Sequence, residues 1–214
     1  MPREFSELEL KARGYFNLDK RMFFIVICVL NFLIVFIQQN FIVAEIAAFQ
    51  FLEGTQMLIF QVIAKLKLLG IPLMYALKFT VVGFILYTGC FMWGYKVSYA
   101  KSWQIAMFAE LIFFLPKILK TLWFLFFVGD PTYWDFQAFY PFSIMNFYNH
   151  EAVDQRYWYS FQALNIFEIA YWVALTYGVD FAARKKKSVA NAIVLTSYIP
   201  LFIFWLWFYA AVYD

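Results

Sequence analysis

The stretch Ser102–Phe127 reads SWQIAMFAELIFFLPKILKTLWFLFF. At about 1.5 Å per residue it is long enough to cross a hydrocarbon core of roughly 30 Å. Yet it carries a carboxylate, Glu110, inside its apolar run. A second run, Tyr159–Val179 (YSFQALNIFEIAYWVALTYGV), carries another, Glu168. A charge at the centre of a bilayer costs at least about 2.5 kcal/mol, so each carboxylate needs a partner or a purpose.

The rest of the chain agrees with a membrane setting. It is 64% hydrophobic and 24% aromatic, with only 14% charged residues. Its mean hydropathy is +0.67. Soluble domains carry roughly a quarter charged residues. Five segments are long and apolar enough to span: about 22–38, 71–94, 102–127, 159–179 and 189–213. Backbone groups in lipid must bond internally, which makes each segment a helix. The predicted fold is an all-α integral membrane protein, with residues 1–214 forming one five-span bundle.

Charge sets the expected orientation. Arg3, Lys11, Arg13, Lys20 and Arg21 precede the first span, Lys96 and Lys101 follow the second, and Arg184, Lys185, Lys186 and Lys187 follow the fourth. Only Lys65, Lys67 and Arg156 fall in the opposite connections. The positive-inside rule then predicts a cytoplasmic N-terminus and an extracytoplasmic C-terminus at Asp214. The net charge of +3 reflects these span ends, and no nucleic-acid partner is expected.

Two segments fall outside this scheme. Residues 41–69 are apolar but interrupted by Glu45, Gln50, Glu53, Gln56, Gln61, Lys65 and Lys67, which form no single stripe. They are read as interfacial helices on the extracytoplasmic side. The outer loop 129–158 is rich in aromatic residues and holds Asp130, Asp135, Glu151 and Asp154. Aromatic rings favour the headgroup level. The loop is thus an interfacial or surface element, or a partner-docking surface built from Trp134, Phe136, Tyr140, Phe147 and Tyr148.

Counting along the spans puts Lys78 about 10 Å, Glu168 about 12 Å and Lys117 about 8 Å below the outer boundary. Charges sharing one depth in low dielectric attract strongly. A Lys78–Glu168 clamp is predicted, with Lys117 joining it or snorkelling outward. Glu110 is a buried acid about 12 Å above the inner boundary, facing only neutral candidates: Asn191, Thr196 and Ser197. Pro116 and Pro200 predict kinks within their spans.

Little points to catalysis. His150 is the single histidine, near Glu151 and Asp154, without the spacing of a metal site. Ser143 and Ser160 lack a nucleophile elbow, and the phosphate-binding GxxxxGK[ST] loop is absent. Cys28 and Cys90 both fall inside spans and have no metal-ligand spacing. No catalytic residue, metal or cofactor is expected.

Four stretches carry a resemblance: SYAKSWQIAMFAELIFFLP ending at Pro116, FYPFSIMNFY in the outer loop, WYSFQALNIFEIAYWVALTYGV, and KKKSVANAIVLTSY. Over about residues 98–200 the chain resembles bacterial members of the Ypt-interacting-protein (Yip) family of polytopic membrane proteins. The residues that carry this include Pro116, Ser143, Phe167, Gly178 and Ala190. The resemblance implies five spans, a cytoplasmic N-terminus and a non-enzymatic role. Eukaryotic relatives bind small GTPases in vesicle traffic, but their acidic-aromatic DLYGP-type motif is missing here.

The leading expectation is a non-catalytic subunit or scaffold of the bacterial inner membrane that binds membrane lipids and a membrane-protein partner. The alternative is a small transporter or channel using Lys78, Glu110, Lys117 and Glu168. A third is a lipid-handling enzyme working near Asp130, Asp135 and His150.

Overall fold

The computed structural model describes residues 19–46, 54–183 and 187–213, with the Lys187 side chain excluded. Arg3, Lys11, Arg13, Gln50, Glu53, Arg184, Lys185, Lys186 and Asp214 lie outside the described residues.

Helix α1, Lys20–Gln38, starts where the Asp19 carboxylate accepts a hydrogen bond from the Arg21 N–H, and it widens into a π turn at Gln39–Val43. Helix α2 is Gly54–Met92. Helix α3, Tyr99–Ala109, passes through a 3₁₀ turn at Glu110–Phe113 into α4, Phe114–Phe126. The connection that follows holds the short helix α5, Tyr133–Ala138, started by a Thr132–Asp135 capping box. Two 3₁₀ turns lead to α6, Gln155–Ala163. Helices α7, Ile166–Ala183, and α8, Lys187–Val212, complete the chain.

Among the described residues, four helices are long and apolar enough to cross a membrane: Lys20–Val43, Gly54–Met92, Ile166–Ala183 and Ser188–Val212. The all-α membrane class follows from them. The expected span 102–127 runs through two shorter helices joined by the 3₁₀ turn. The cause lies one turn further on. Pro116 cannot donate to the Ile112 carbonyl and crowds it, so the preceding turn tightens. In contrast, α8 runs through Pro200 as one helix.

The reading of 41–69 as separate interfacial helices is corrected over residues 54–69. They form the first turns of α2 and continue unbroken through Gly70 and Pro72 into the predicted second span. Gly-Ile-Pro reads locally as a break, but Pro72 is exposed and its loss of one hydrogen bond leaves the helix intact. The 39 residues of α2 measure about 58 Å. Even at a 40° tilt they exceed the roughly 30 Å core, so one end of α2 projects beyond it.

The core sits where α2, α3, α7 and α8 meet: Phe79, Leu86, Cys90, Met107, Tyr171, Leu175, Val179 and Ile193 are fully enclosed. Two glycines set how closely these helices approach. A Cβ on Gly83 would lie 2.9 Å from the Trp103 Cα on α3. One on Gly89 would lie 2.6 Å from the Ser197 Oγ on α8. With little hydrophobic drive between helices in lipid, such close packing supplies dispersion contacts that larger residues would prevent.

A second, smaller core joins the end of α1 to the connection after α4. Ile42, Val43 and Ile46 pack with Phe124 and Phe136. At this same end the chain at Ser143 is pinned beside the α6–α7 junction. Ile144 N–H donates to the Leu164 carbonyl and Ile166 N–H to that of Phe142. Phe142 takes a positive φ of 54° to make this turn, a rare conformation for a side chain of its size.

Candidate functional site

The 3₁₀ turn carries Glu110 into the core, where it is fully enclosed. Lys78 Nζ from α2 lies 2.9 Å from Glu110 Oε1 and 2.8 Å from Oε2. Its ammonium also sits 4.4 Å from the centre of the Phe113 ring and 5.8 Å from that of Tyr171. The pair is asymmetric: the Lys78 side chain is 41% exposed and that of Glu110 only 2%. A buried carboxylate of this kind depends on its partner, since an unpaired charge in low dielectric is costly.

This replaces the expected Lys78–Glu168 clamp. Glu168 instead accepts hydrogen bonds from Trp172 Nε1–H at 2.8 Å and from the Tyr198 hydroxyl at 3.0 Å. Counting residues gives a depth along each helix but not the side on which a residue faces. The long, flexible stem of lysine spans the depth gap between Lys78 and Glu110. Asn191, Thr196 and Ser197 are not the partners of Glu110. The hydroxyls of Thr196 and Ser197 donate to carbonyls of α8 itself.

Lys117 neither joins the pair nor snorkels. It turns inward, donating to Asn31 Oδ1 at 2.7 Å and to the Tyr75 hydroxyl at 2.8 Å. Two cations and two carboxylates thus come together in one region. One pair is direct, and the other two charges are solvated by neutral polar side chains. Asn31, Tyr75 and Tyr198 carry this second role, and none of them stands out in the sequence. The available signal was an amide or phenol inside an apolar run at the level of a charge.

These groups line a cavity of about 1010 Å³ between α2 and α8. Its walls are largely aliphatic and aromatic: Ile71, Met74, Val82 and Ile85 on α2 face Leu201 and Phe202 on α8. Lys78, Glu110, Lys117, Glu168, Tyr75 and Tyr198 supply its polar part. Tyr140, Gln162 and Asn165 bring in the connection end. Such a combination of apolar walls and few polar groups is typical of small-molecule sites.

The cavity opens sideways. Leu77, Leu201, Phe204 and Trp205 on its flanks are all exposed apolar residues. Beyond Ile85, the last α2 residue that lines it, α2 and α8 approach closely at Gly89 and Ser197. Trp93 Nε1–H, just past α2, donates to Thr196 Oγ1 at 3.0 Å.

The five aromatic residues expected to dock a partner divide into two groups. Trp134, Phe147 and Tyr148 are exposed, Phe147 to 86%. Phe136 is buried against Phe124 and lies 4.3 Å beneath the Lys120 ammonium, and Tyr140 lines the cavity. Those two are withdrawn from the docking surface, because the connection folds onto the bundle and buries its own aromatic residues.

His150 Nε2 lies 3.6 Å from Asp135 Oδ1, and the His150 ring meets Trp158 edge to face. The Asp135 carboxyl is held below its ordinary value, chiefly by the Thr132 hydroxyl that donates to it at 2.6 Å. Among the described residues no group of three or more His, Cys, Asp or Glu is placed to hold a metal ion.

No family model, curated protein or solved structure matches the chain.

Proposed function

We propose that this chain is a non-catalytic protein of the bacterial cytoplasmic membrane whose task is to hold a lipid-like amphiphile. The carrying observation is the cavity of about 1010 Å³, with its apolar walls, polar interior and sideways opening between α2 and α8. A molecule in the membrane reaches such an opening without leaving lipid. Its hydrocarbon meets Leu201 and Phe202 while its head reaches the charges inside.

The same reading takes the rod Tyr99–Phe126 as a fifth crossing. The N-terminus then lies in the cytoplasm and the aromatic connection on the far side, as the basic residues favour. The close approach of α2 and α8 at Gly89 and Ser197 supports retention of a ligand over its passage through the protein. The exposed Trp134, Phe147 and Tyr148 support a second element, contact with a membrane-protein partner, and a bound amphiphile would be what the two share.

A substitution that fills the cavity tests this function. Val81 lines the cavity and is half exposed, so Val81→Trp places an indole in the opening without disturbing the core. Purified gently from its membrane, the wild type is expected to retain about one amphiphile per chain through detergent exchange. The variant should retain several-fold less at unchanged thermal stability. Equal retention by both proteins would overturn the proposal.

A further inference from the structure

The open hydrogen-bonding groups of the cavity indicate which end of an amphiphile belongs there. Glu110 is fully enclosed against Lys78, and Glu168, also buried, takes its hydrogen bonds from Trp172 and Tyr198 on one carboxylate oxygen, Oε1. Gln162 donates its amide hydrogens to the carbonyls of Gln137 and Ala138, leaving its own carbonyl as a neutral acceptor. Asn165 donates from its amide nitrogen to the carbonyls of Gln162 and Ala163, while its oxygen accepts from the Glu168 N–H. The Tyr198 hydroxyl donates to Glu168.

The remaining donors are not engaged in this way. An ammonium carries three N–H bonds, and Lys78 commits one direction to Glu110 while its side chain stays exposed to the cavity. Tyr75 accepts from Lys117, which leaves its own hydroxyl hydrogen free. Tyr140 lines the cavity, and its hydroxyl makes no hydrogen bond among the described residues. Lys67 stands on the same helix eleven positions before Lys78 and also lines the cavity. Eleven residues are close to three full turns, so both lysines face the same side of α2, about 16 Å apart.

Resting on the amphiphile-holding reading, we propose that the head of the ligand is an oxyanion, a carboxylate or a phosphate ester. Lys78 Nζ and the hydroxyls of Tyr75 and Tyr140 bind it, and its hydrocarbon lies between α2 and α8. Charge-assisted hydrogen bonds from the Lys78 ammonium supply the preference. A neutral alcohol of the same chain length forfeits them.

Delipidated full-length protein in a neutral detergent tests the proposal by native mass spectrometry. Four probes separate head from tail: oleate, oleyl alcohol, dioleoylphosphatidylglycerol and dioleoylglycerol. At least one anionic probe is expected to bind about tenfold or more tightly than its neutral counterpart. Preference for oleate assigns a free carboxylate, preference for the phosphatidylglycerol assigns a lipid phosphate, and either supports the proposal. Tyr140→Phe removes a hydroxyl that no described residue hydrogen-bonds, so the fold survives it. It should weaken the anion about threefold to tenfold and leave the neutral probe unchanged. Lys78→Gln with Glu110→Gln removes the ammonium without stranding a charge and should abolish the preference. Equal binding of anion and alcohol would overturn the head assignment while leaving the cavity reading intact. No binding of any probe would overturn both.

Discussion

Lys78→Met is expected to destabilise the protein by about 3 kcal/mol, the lower end of the range for breaking a buried ion pair. The lower end applies because the Lys78 side chain is 41% exposed. Most of the cost falls on Glu110, which is left as an enclosed carboxylate without its cation. The reverse change should cost less. With Glu110→Gln, Lys78 keeps its exposure to the cavity and its contact with the Phe113 ring, and its stem is free to turn toward water. The double replacement should recover most of the loss of the first, giving a coupling of about 1–3 kcal/mol. Unfolding by SDS titration of all four proteins measures this. Strict additivity would mean that the pair does not hold the core. The same cycle on Lys78 and Glu168 should show much weaker coupling, because Glu168 is held by Trp172 and Tyr198.

Gly83→Val should cost about 3 kcal/mol, the upper end for overpacking. The added Cβ would meet the Trp103 Cα at 2.9 Å and its backbone nitrogen at 3.1 Å. A helix backbone cannot step aside as a side chain can, so α2 and α3 must separate. That separation would loosen the contacts of Phe79 and Phe24 with the Trp103 ring. Gly70 is the control on the same helix. A Cβ there meets nothing within 4 Å, so Gly70→Ala should leave stability unchanged or raise it by roughly 0.5–1 kcal/mol, the helical advantage of alanine over glycine. Similar melting shifts for the two variants would contradict the packing described here.

The membrane class and most of the helices were legible in the sequence, because a long apolar run is stable in lipid and not in water. Two boundaries misled for local reasons. At Gly70–Pro72 a pair of helix-breaking residues sits in a helix that continues. At Pro116 a single proline divides a run whose composition reads as one span. The charged residues were legible as important, but their pairing was not. Depth comes from counting, whereas the direction a side chain faces comes from packing around Gly83 and Gly89 and from the tightened turn at Glu110. The aromatic connection shows the same limit. Composition marked Trp134, Phe136, Tyr140, Phe147 and Tyr148 alike, and only the fold separates those it buries from those it leaves exposed. The cavity had no signature in sequence, since it arises where two helices diverge.

The most direct test of the account is photocrosslinking in whole membranes with a benzoylphenylalanine placed at Leu201, which lines the cavity, and in a separate protein at Leu122, which is exposed on α4. The account predicts that Leu201 labels one class of amphiphile to saturation at one per chain, while Leu122 labels bulk lipid in proportion to its abundance. The same lipid mixture captured at both positions would contradict it.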